Sequence, residues 1–312
     1  MTAFRRLLPP RDIAIPTARI RGKAKTLVAF FDITSLAAYR HCYFVLRSDH
    51  ATKPGGDVDL ARQIGRSAEA AGATVSIVGI KDLPAALEAQ DLLFLFNIDR
   101  PYDAATALGR AHPDGRALLY PLHHPNEGVR KYLTQVHGPK RLLSAIAGGR
   151  PDRYEAMVDT AKAVRTLDIG RLRAAIGRGR VIAGLIERCE LLVTSTAELA
   201  EISKRYGVPP RGAWLLPHPV AAYVSAVGQG VPRYILVPGR IEPRKNQLAA
   251  LQALASMNMR EHGYEVVLAG GKGSDTAYFR SSIDFALANG IIYVSQLPKS
   301  LFFPAVSGAA LV

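Results

Sequence analysis

The sequence predicts an α/β protein of two domains with mainly parallel sheets that face across a cleft, the second domain being incomplete. Short apolar runs typical of buried strands alternate with amphipathic helical stretches along the whole chain. A segment with several Gly and Pro residues interrupts this alternation at 221–232. The 312 residues, 48% of them hydrophobic, suffice for two such domains or one and a half. We divide the chain into a basic N-terminal extension (1–41), a first domain (42–220), a linker (221–232) and a second domain (233–312).

The overall charge indicates an acidic partner. The formal net charge of +14 favours nucleic acid, anionic lipid or phosphorylated small molecules. We expect no nucleic acid, because no recognition motif is present and the aromatic residues, 7% of the chain, are not interleaved with the basic runs. No apolar run approaches the roughly 18 residues of a spanning helix, so we expect a soluble or peripheral protein. Cys42 and Cys189 form no ligand cluster, which predicts a reducing cytoplasm and no structural zinc.

The N-terminal extension is rich in Arg and Lys and has only Asp12 and Asp32 as acids. It lacks the apolar core of a secretory signal. Its composition is compatible with a transit peptide, a membrane-contacting arm or an over-long gene start. We interpret it as an accessory extension.

The first domain begins with a βαβ pattern. A helix is predicted to start after Gly55 and Gly56, with Asp57 as its N-cap. The loop lacks the GxGxxG spacing of a dinucleotide site. Asp57 and Asp59 spell a DxD metal motif, but residues i and i+2 do not share a helix face, so we predict no metal. The predicted strands of this domain are Cys42–Leu46, Thr74–Val78, Leu92–Phe96, Ala117–Leu122, Leu191–Val193 and Trp214–Leu216.

Polar residues follow two of these strands directly. Asn97 and Arg100 come after one strand, and His123 and His124 come after the next. Ligands of open α/β sheets collect beyond the carboxyl ends of the strands, so all four side chains are predicted to point towards one crevice. A His after a strand is more often an ordinary loop residue, and the pair is either catalytic or turn filler.

The stretch 131–184 is predicted to be helical and carries eleven Lys or Arg residues against four acids. We favour a solvated basic face. The alternative is a surface that rests on anionic phospholipid, which makes an anionic membrane surface a candidate partner.

The second domain opens on the most informative segment, Tyr234–Gln247. An apolar strand runs into a turn at Gly239 and then into a cluster of cations before a helix predicted from Lys245 to Met257. A glycine turn that opens into a helix favours an anion, and Arg240 with Lys245 suits a ligand with two phosphates. Further strands are predicted at Glu265–Ala269 and Ile291–Val294, with a loop at Gly270 and Gly271 as a second backbone contact for the ligand.

The octapeptide Gly239-Arg240-Ile241-Glu242-Pro243-Arg244-Lys245-Asn246 resembles the donor-site signature of the group 1 (family 4) retaining glycosyltransferases of the GT-B fold, which has two Rossmann-like domains. Two first-domain segments are similar to that family as well: the loop Lys53–Asp57 and the segment Asn97–Pro101.

The resemblance implies a retaining glycosyltransferase that moves a sugar from a nucleotide-diphosphate donor to a glycolipid or polysaccharide, without metal or cofactor. It implies that Arg240 and Lys245 hold the diphosphate, that Gly55, Gly56, Gly239, Gly270 and Gly271 approach the donor, and that Asn97 and Arg100 lie on the acceptor side. The location implied is cytoplasmic, peripheral at the inner face of the membrane.

This sequence departs from the family pattern in two places. Pro219 stands where a Gly is usual after His218, and the acidic motif E-x7-E does not follow. The last residues, Ala309–Val312, have the pattern of a strand that is just beginning, which is why we expect an incomplete second domain. A non-catalytic nucleotide-sugar or membrane-surface binding module on the same fold is the alternative function.

Overall fold

The structure is a computed structural model, which describes residues 28–48, 50–51, 55–123, 126–136, 139–218, 233–273, 275–295, 297, 301, 305–306 and 309. The chain divides into two compact units. The first unit comprises Met1–His123 and Ala163–Pro219, and the second comprises His124–Lys162 and Val220–Val312. The predicted linker at 221–232 lies outside the described residues.

The first unit is built on a seven-stranded sheet in which every neighbouring pair is parallel. The strand order is β1-β7-β6-β5-β4-β2-β3. Their bounds are β1 Ala29–Phe30, β2 His41–Leu46, β3 Val75–Gly79, β4 Asp91–Phe96, β5 Arg116–Tyr120, β6 Glu190–Val193 and β7 Gly212–Leu215. The predicted α/β class and the parallel sheet are confirmed.

Ten α-helices accompany the strands in the described part of the chain. They are α1 Gly56–Ala70, α2 Pro101–Leu108, α3 Asn126–Gln135, α4 Pro139–Ile146, α5 Pro151–Thr166, α6 Ile169–Ile176, α7 Arg178–Arg188, α8 Thr196–Tyr206, α9 Gln247–Ser256 and α10 Thr276–Ala288. The helical content predicted for 131–184 is thus present as α3 to α6 and the first part of α7.

Alternating residues of the strands face two separate cores, as expected of a parallel sheet covered on both sides. On one face, Phe44, Phe94 and Tyr120 pack beneath α1. On the other face, Leu93 and Leu119 pack beneath α2, α7 and α8. The whole of β4 is buried, because it lies inside the sheet and both of its faces are covered.

Residues placed in the N-terminal extension take part in this unit. The edge strand β1 pairs with β7, and the N–H of Phe31 donates to the carbonyl of Leu215 at 2.9 Å. A 3₁₀ helix then runs from Ile33 to Ala38 and buries Leu36 completely. A two-residue strand carries too little periodicity to be predicted from sequence.

The N-cap prediction for α1 is wrong. Gly55 occupies the N-cap position, and Asp57 lies in the first turn. There Asp57 forms an ion pair with Arg47, whose Nε lies 2.8 Å from the carboxylate. The carboxylate that was expected to cap the helix therefore pairs with Arg47, which follows β2.

The amino ends of the central strands are held by a hydrogen-bonded ion pair. Arg116 donates two hydrogen bonds to Glu190, at 2.8 and 2.7 Å, and a third to the hydroxyl of Tyr39. The indole of Trp214 donates to the same carboxylate at 2.6 Å. Burial by itself raises the pKa of Glu190, but the hydrogen bonds from Arg116 and Trp214 outweigh it and hold the pKa below its usual value.

The second unit has a three-stranded parallel sheet with β9 in the middle. Its strands are β8 Tyr234–Pro238, β9 Glu265–Ala269 and β10 Ile292–Val294. Leu251 of α9 and Tyr278 of α10 pack with Leu268 of β9 in one core. Helices α3 to α5 form a second cluster around Leu133 and Tyr154. No sequence signal separates 124–162 from the rest of the predicted first domain.

Two glycine turns of this unit touch each other. A Cβ on Gly270 would lie 2.7 Å from the carbonyl carbon of Gly239 and closer still to its oxygen, so no side chain fits there. The neighbouring Gly271 has room, because the nearest atom to its Cβ would be the carbonyl oxygen of Ser295 at 3.6 Å. The loops after β8 and β9 are therefore packed backbone against backbone at Gly270.

We expect the substitution Glu190→Gln to destabilise the first unit by about 2 to 3 kcal/mol near neutral pH, since it leaves Arg116 partly buried without its counter-charge. The folded pKa of Glu190 is depressed, so this stabilisation is present above the ordinary carboxylate pKa of about 4.3 and disappears as pH falls through the folded value. Fluorescence of Trp214, the single tryptophan, reports unfolding in denaturant. Asp114→Asn, at an exposed carboxylate, is the control. A Glu190→Gln protein as stable as the control near neutral pH would contradict the assignment.

We expect Gly270→Ala to destabilise the second unit by roughly 2 kcal/mol or more, because the new methyl group forces the two turns apart. Gly271→Ala adds the same methyl group at a position that has room for it and where φ is not positive, so its effect on stability should be much milder. Hydrogen exchange of the β8 and β9 amides measures both. Equal protection in the two variants would show that the close approach is unimportant.

Candidate functional site

The loops that follow β8 and β9 form one structure. The N–H of Gly239 donates to the carbonyl of Ala269, and the N–H of Ile241 donates to the carbonyl of Gly271, each at 2.9 Å. Ile241 and Lys272 form a parallel bridge beyond the ends of the strands. Both loops lie at the carboxyl ends of parallel strands, where ligands of α/β proteins collect. The predicted donor-site glycines 239, 270 and 271 are therefore brought together.

Gln247 holds the first loop from inside. Its side chain is buried, and its amide nitrogen donates to the carbonyl of Arg240 at 2.9 Å and to that of Gly239 at 3.4 Å. Its amide oxygen accepts from the N–H of Glu242 at 3.4 Å. These bonds fix the path of the backbone through the motif. No sequence pattern marked Gln247, because the contacts depend on how the loop folds back over α9.

The helix after the motif begins two residues later than predicted. Pro243–Lys245 forms a 3₁₀ turn, and Asn246 adopts a left-handed conformation with φ of 55° before α9 starts at Gln247. An Asn tolerates this backbone better than most residues do. The cations of the motif thus lie between the strand and the helix, and the 3₁₀ turn separates Gly239 from α9 in the sequence.

Three cations lie on the paired loops. Arg240, Lys245 and Lys272 are exposed, and none of them forms an ion pair with a residue that the structure describes. Glu242 is half-buried and makes no ion pair with a described cation. Three cations against one acid leave the charge of these loops positive, as an anion site requires. Lys272 had no role in the sequence prediction. Its bridge to Ile241 places it beside the motif.

Arg244 differs from its neighbours. Its guanidinium lies 5.6 Å from the centre of the Tyr132 ring on α3, within the range of a cation–π contact. Burial raises the pKa of Tyr132, and the nearby Arg244 partly opposes that shift. Arg244 thus contacts α3, and this contact anchors the 3₁₀ turn to a helix more than a hundred residues earlier in the chain.

In the first unit, the predicted crevice corresponds to a reversal in strand order. From β2 the chain first builds β3 on one side and then crosses to β4 on the other side. The loops after β2 and β4 therefore flank a topological switch point, the usual ligand position in such sheets. Gly55 and Gly56 begin α1 at this point, and Asn97 follows β4 with φ of 75°. The side-chain oxygen of Asn97 accepts from the N–H of Asp99 at 2.9 Å.

Most charges around the switch point are paired within the unit. Arg47 pairs with Asp57, and the buried Asp103 accepts from the N–H of Ser48 at 3.3 Å. Arg100 is an exception among these charged residues, since it makes no ion pair with a described residue. In the described part of the chain, no group of three His, Cys, Asp or Glu side chains is arranged to hold a metal.

His123 follows β5 as predicted, but its ring is buried. The side chain is 1% exposed, and Nε2 lies 3.4 Å from a carboxylate oxygen of Glu201 on α8. Neither ring nitrogen makes an aligned hydrogen bond to a described residue. Burial lowers the pKa of His123, the nearby Arg205 lowers it further, and Glu201 opposes them, so the net shift favours the neutral imidazole. His124 lies outside the described residues.

No protein-family model matches this chain, and no match is found among curated proteins. The resemblance to the group 1 glycosyltransferases therefore rests on the short motifs around Gly239, Gly55 and Asn97 alone.

Proposed function

We propose that this protein is a retaining glycosyltransferase that moves a sugar from a nucleotide-diphosphate sugar to a glycolipid or polysaccharide acceptor. The observation that carries the proposal is the arrangement after β8 and β9: two glycine turns packed together, with Arg240, Lys245 and Lys272 exposed beside them and unpaired with described acids. Such a site fits a ligand with two adjacent phosphates better than it fits a single carboxylate.

Each part of the site has a role in this reaction. The glycines allow the diphosphate to approach the backbone, and Gln247 keeps that backbone in place before the ligand arrives. Negative charge develops on the diphosphate as its bond to the sugar breaks. Fixed cations aimed at that charge stabilise the transition state, and they do so without a metal ion. Arg240 and Lys245 are therefore assigned to the leaving group.

The first unit is assigned to the acceptor. Arg100, one of the two residues predicted on the acceptor side, makes no ion pair with a described residue and is available to a ligand at the switch point.

A non-catalytic nucleotide-sugar binding module is the alternative, because a phosphate site on an α/β fold does not by itself imply turnover. A panel of nucleotide-diphosphate sugars, incubated with the protein and with glycolipid or oligosaccharide acceptors, separates the two functions. Release of nucleotide with at least one donor is expected. Saturable binding of a donor without release would support the binding module.

We expect Arg240→Ala and Lys245→Ala to depress kcat at least as strongly as they raise KM, by on the order of 10² to 10³ in rate, because their charges matter most as the bond breaks. Arg244→Ala should be mild, since Arg244 stacks on Tyr132. Steady-state kinetics of the three variants is the measurement.

The matched control for these variants is Arg280→Ala, which removes an exposed arginine of α10 in the same unit. It should leave the kinetics unchanged. Equal and small effects at 240, 244 and 245 would reduce the motif to surface charge and remove the main support for a glycosyltransferase.

We expect His123→Ala and His124→Ala to lower turnover while leaving nucleotide affinity nearly intact, because both residues follow β5 in the chain and are more than a hundred residues from the diphosphate motif in the sequence. Kinetics combined with nucleotide titration distinguishes the two effects. The His123 variant also needs a thermal unfolding control, because its ring is buried. Full activity in both single variants would make the pair turn filler.

A further inference from the structure

The first unit resumes at Ala163, in the last turn of α5. The corner between this turn and α6 exposes four large apolar side chains within thirteen residues of sequence. Val164 is 58% exposed, Leu167 88%, Ile169 66% and Ile176 76%. Single exposed apolar residues are ordinary, but a group of them on one short segment marks an interaction surface. We call these four residues the apolar corner.

The apolar corner is the outward side of a helix that is firmly attached on its inward side. Arg171 lies over the ring of Tyr102 on α2 at 5.2 Å, and a Cβ on Gly170 would lie 3.3 Å from that ring. Ala175 is buried. By helical spacing, Ile169 and Ile176 lie seven residues apart on one face. Inward packing therefore leaves these two isoleucines facing outward.

Leu167 is held in an unusual conformation at the tip of the corner. Its φ is 53°, in the left-handed region where glycine or asparagine is common and leucine is not. Hydrogen bonds fix this turn: the N–H of Asp168 donates to the carbonyl of Ala163 at 3.0 Å, and Asp168 caps α6 by accepting from the N–H of Arg171. The unit thus keeps a strained turn whose leucine side chain packs against almost nothing in the unit.

The charge around the apolar corner is positive. The segment 163–184 has five arginines against one aspartate, which is already used as a cap. Arg165, Arg173 and Arg180 are exposed, and none forms an ion pair with a residue that the structure describes. Apolar side chains bordered by arginines match a bilayer with anionic headgroups, where the apolar groups enter the acyl boundary and the guanidinium groups remain at the phosphates.

We propose that the apolar corner docks this protein on an anionic lipid bilayer, with Leu167, Ile169 and Ile176 entering the interface. No helix in the described residues is long and apolar enough to cross a bilayer, so the proposal concerns docking at the surface. It does not depend on the proposed enzymatic function, because its test requires no nucleotide or turnover.

The test is co-sedimentation of the full chain with vesicles of phosphatidylcholine containing about one third phosphatidylglycerol, compared with phosphatidylcholine alone. The wild type should bind the anionic vesicles, bind the neutral ones much less, and be released in part as salt rises from about 0.1 M to about 1 M. The double variant Leu167→Gln/Ile176→Gln should lower partitioning by about tenfold or more. Arg165→Gln/Arg173→Gln should weaken binding and reduce the effect of salt.

The control is Leu287→Gln, which changes a leucine on α10 that is 64% exposed and should bind like the wild type. All changed side chains are exposed, so thermal unfolding should be unaffected, which separates lost docking from lost folding. Equal binding to neutral vesicles, no binding by the wild type, or no loss in the Leu167→Gln/Ile176→Gln variant would each overturn the proposal. Light scattering that shows a dimer abolished by that variant, without vesicle binding, would assign the corner to a second copy of the chain.

Discussion

The contact between the backbones of Gly239 and Gly270 is the constraint on which the candidate site depends. Any side chain at Gly270 would collide with the carbonyl of Gly239. Because that side chain is missing, the loops after β8 and β9 lie close enough for the hydrogen bond between Ile241 and Gly271 and for the bridge to Lys272. The bridge places Lys272 beside the motif, and hydrogen bonds from the buried Gln247 fix the backbone of the first loop. The candidate site is therefore built mainly from backbone geometry.

In the first unit, the paired charges and the candidate ligand position lie at opposite ends of the sheet. At the amino ends of the strands, Arg116 and Glu190 satisfy each other, and Arg40 pairs with the buried Asp91. At the carboxyl ends, the chain changes direction between β2 and β4 and leaves a switch point. Charges at the amino ends serve the fold because they are paired within it. The residues at the switch point include Arg100, which keeps its charge available.

The segment that follows His123 contacts the motif of the second unit. Helices α3 to α5 pack around their own small core in the second unit, and Tyr132 receives the guanidinium of Arg244. A contact of this kind joins the 3₁₀ turn of the motif to a helix distant in sequence. It also gives the two adjacent cations, Arg244 and Lys245, different environments.

The sequence by itself determined the features that depend on local pattern. The apolar runs predicted β2 to β10 to within about two residues, and the capping residues of α8, Ser195 and Gly207, act as their types predict. The glycines of the motif were identifiable because a residue without a side chain suits a tight turn after a strand.

Only the tertiary structure decided which distant residues meet. The pairing of β1 with β7, the burial of His123 against α8, the role of Gln247 and the addition of Lys272 all arise from contacts between segments far apart in sequence or from the path of a folded loop. Asp57 shows the same limit. It was expected to cap α1, but it forms an ion pair with Arg47, which follows β2. Local periodicity reports which face of an element is buried, whereas the partner on that face is set by the topology of the whole unit.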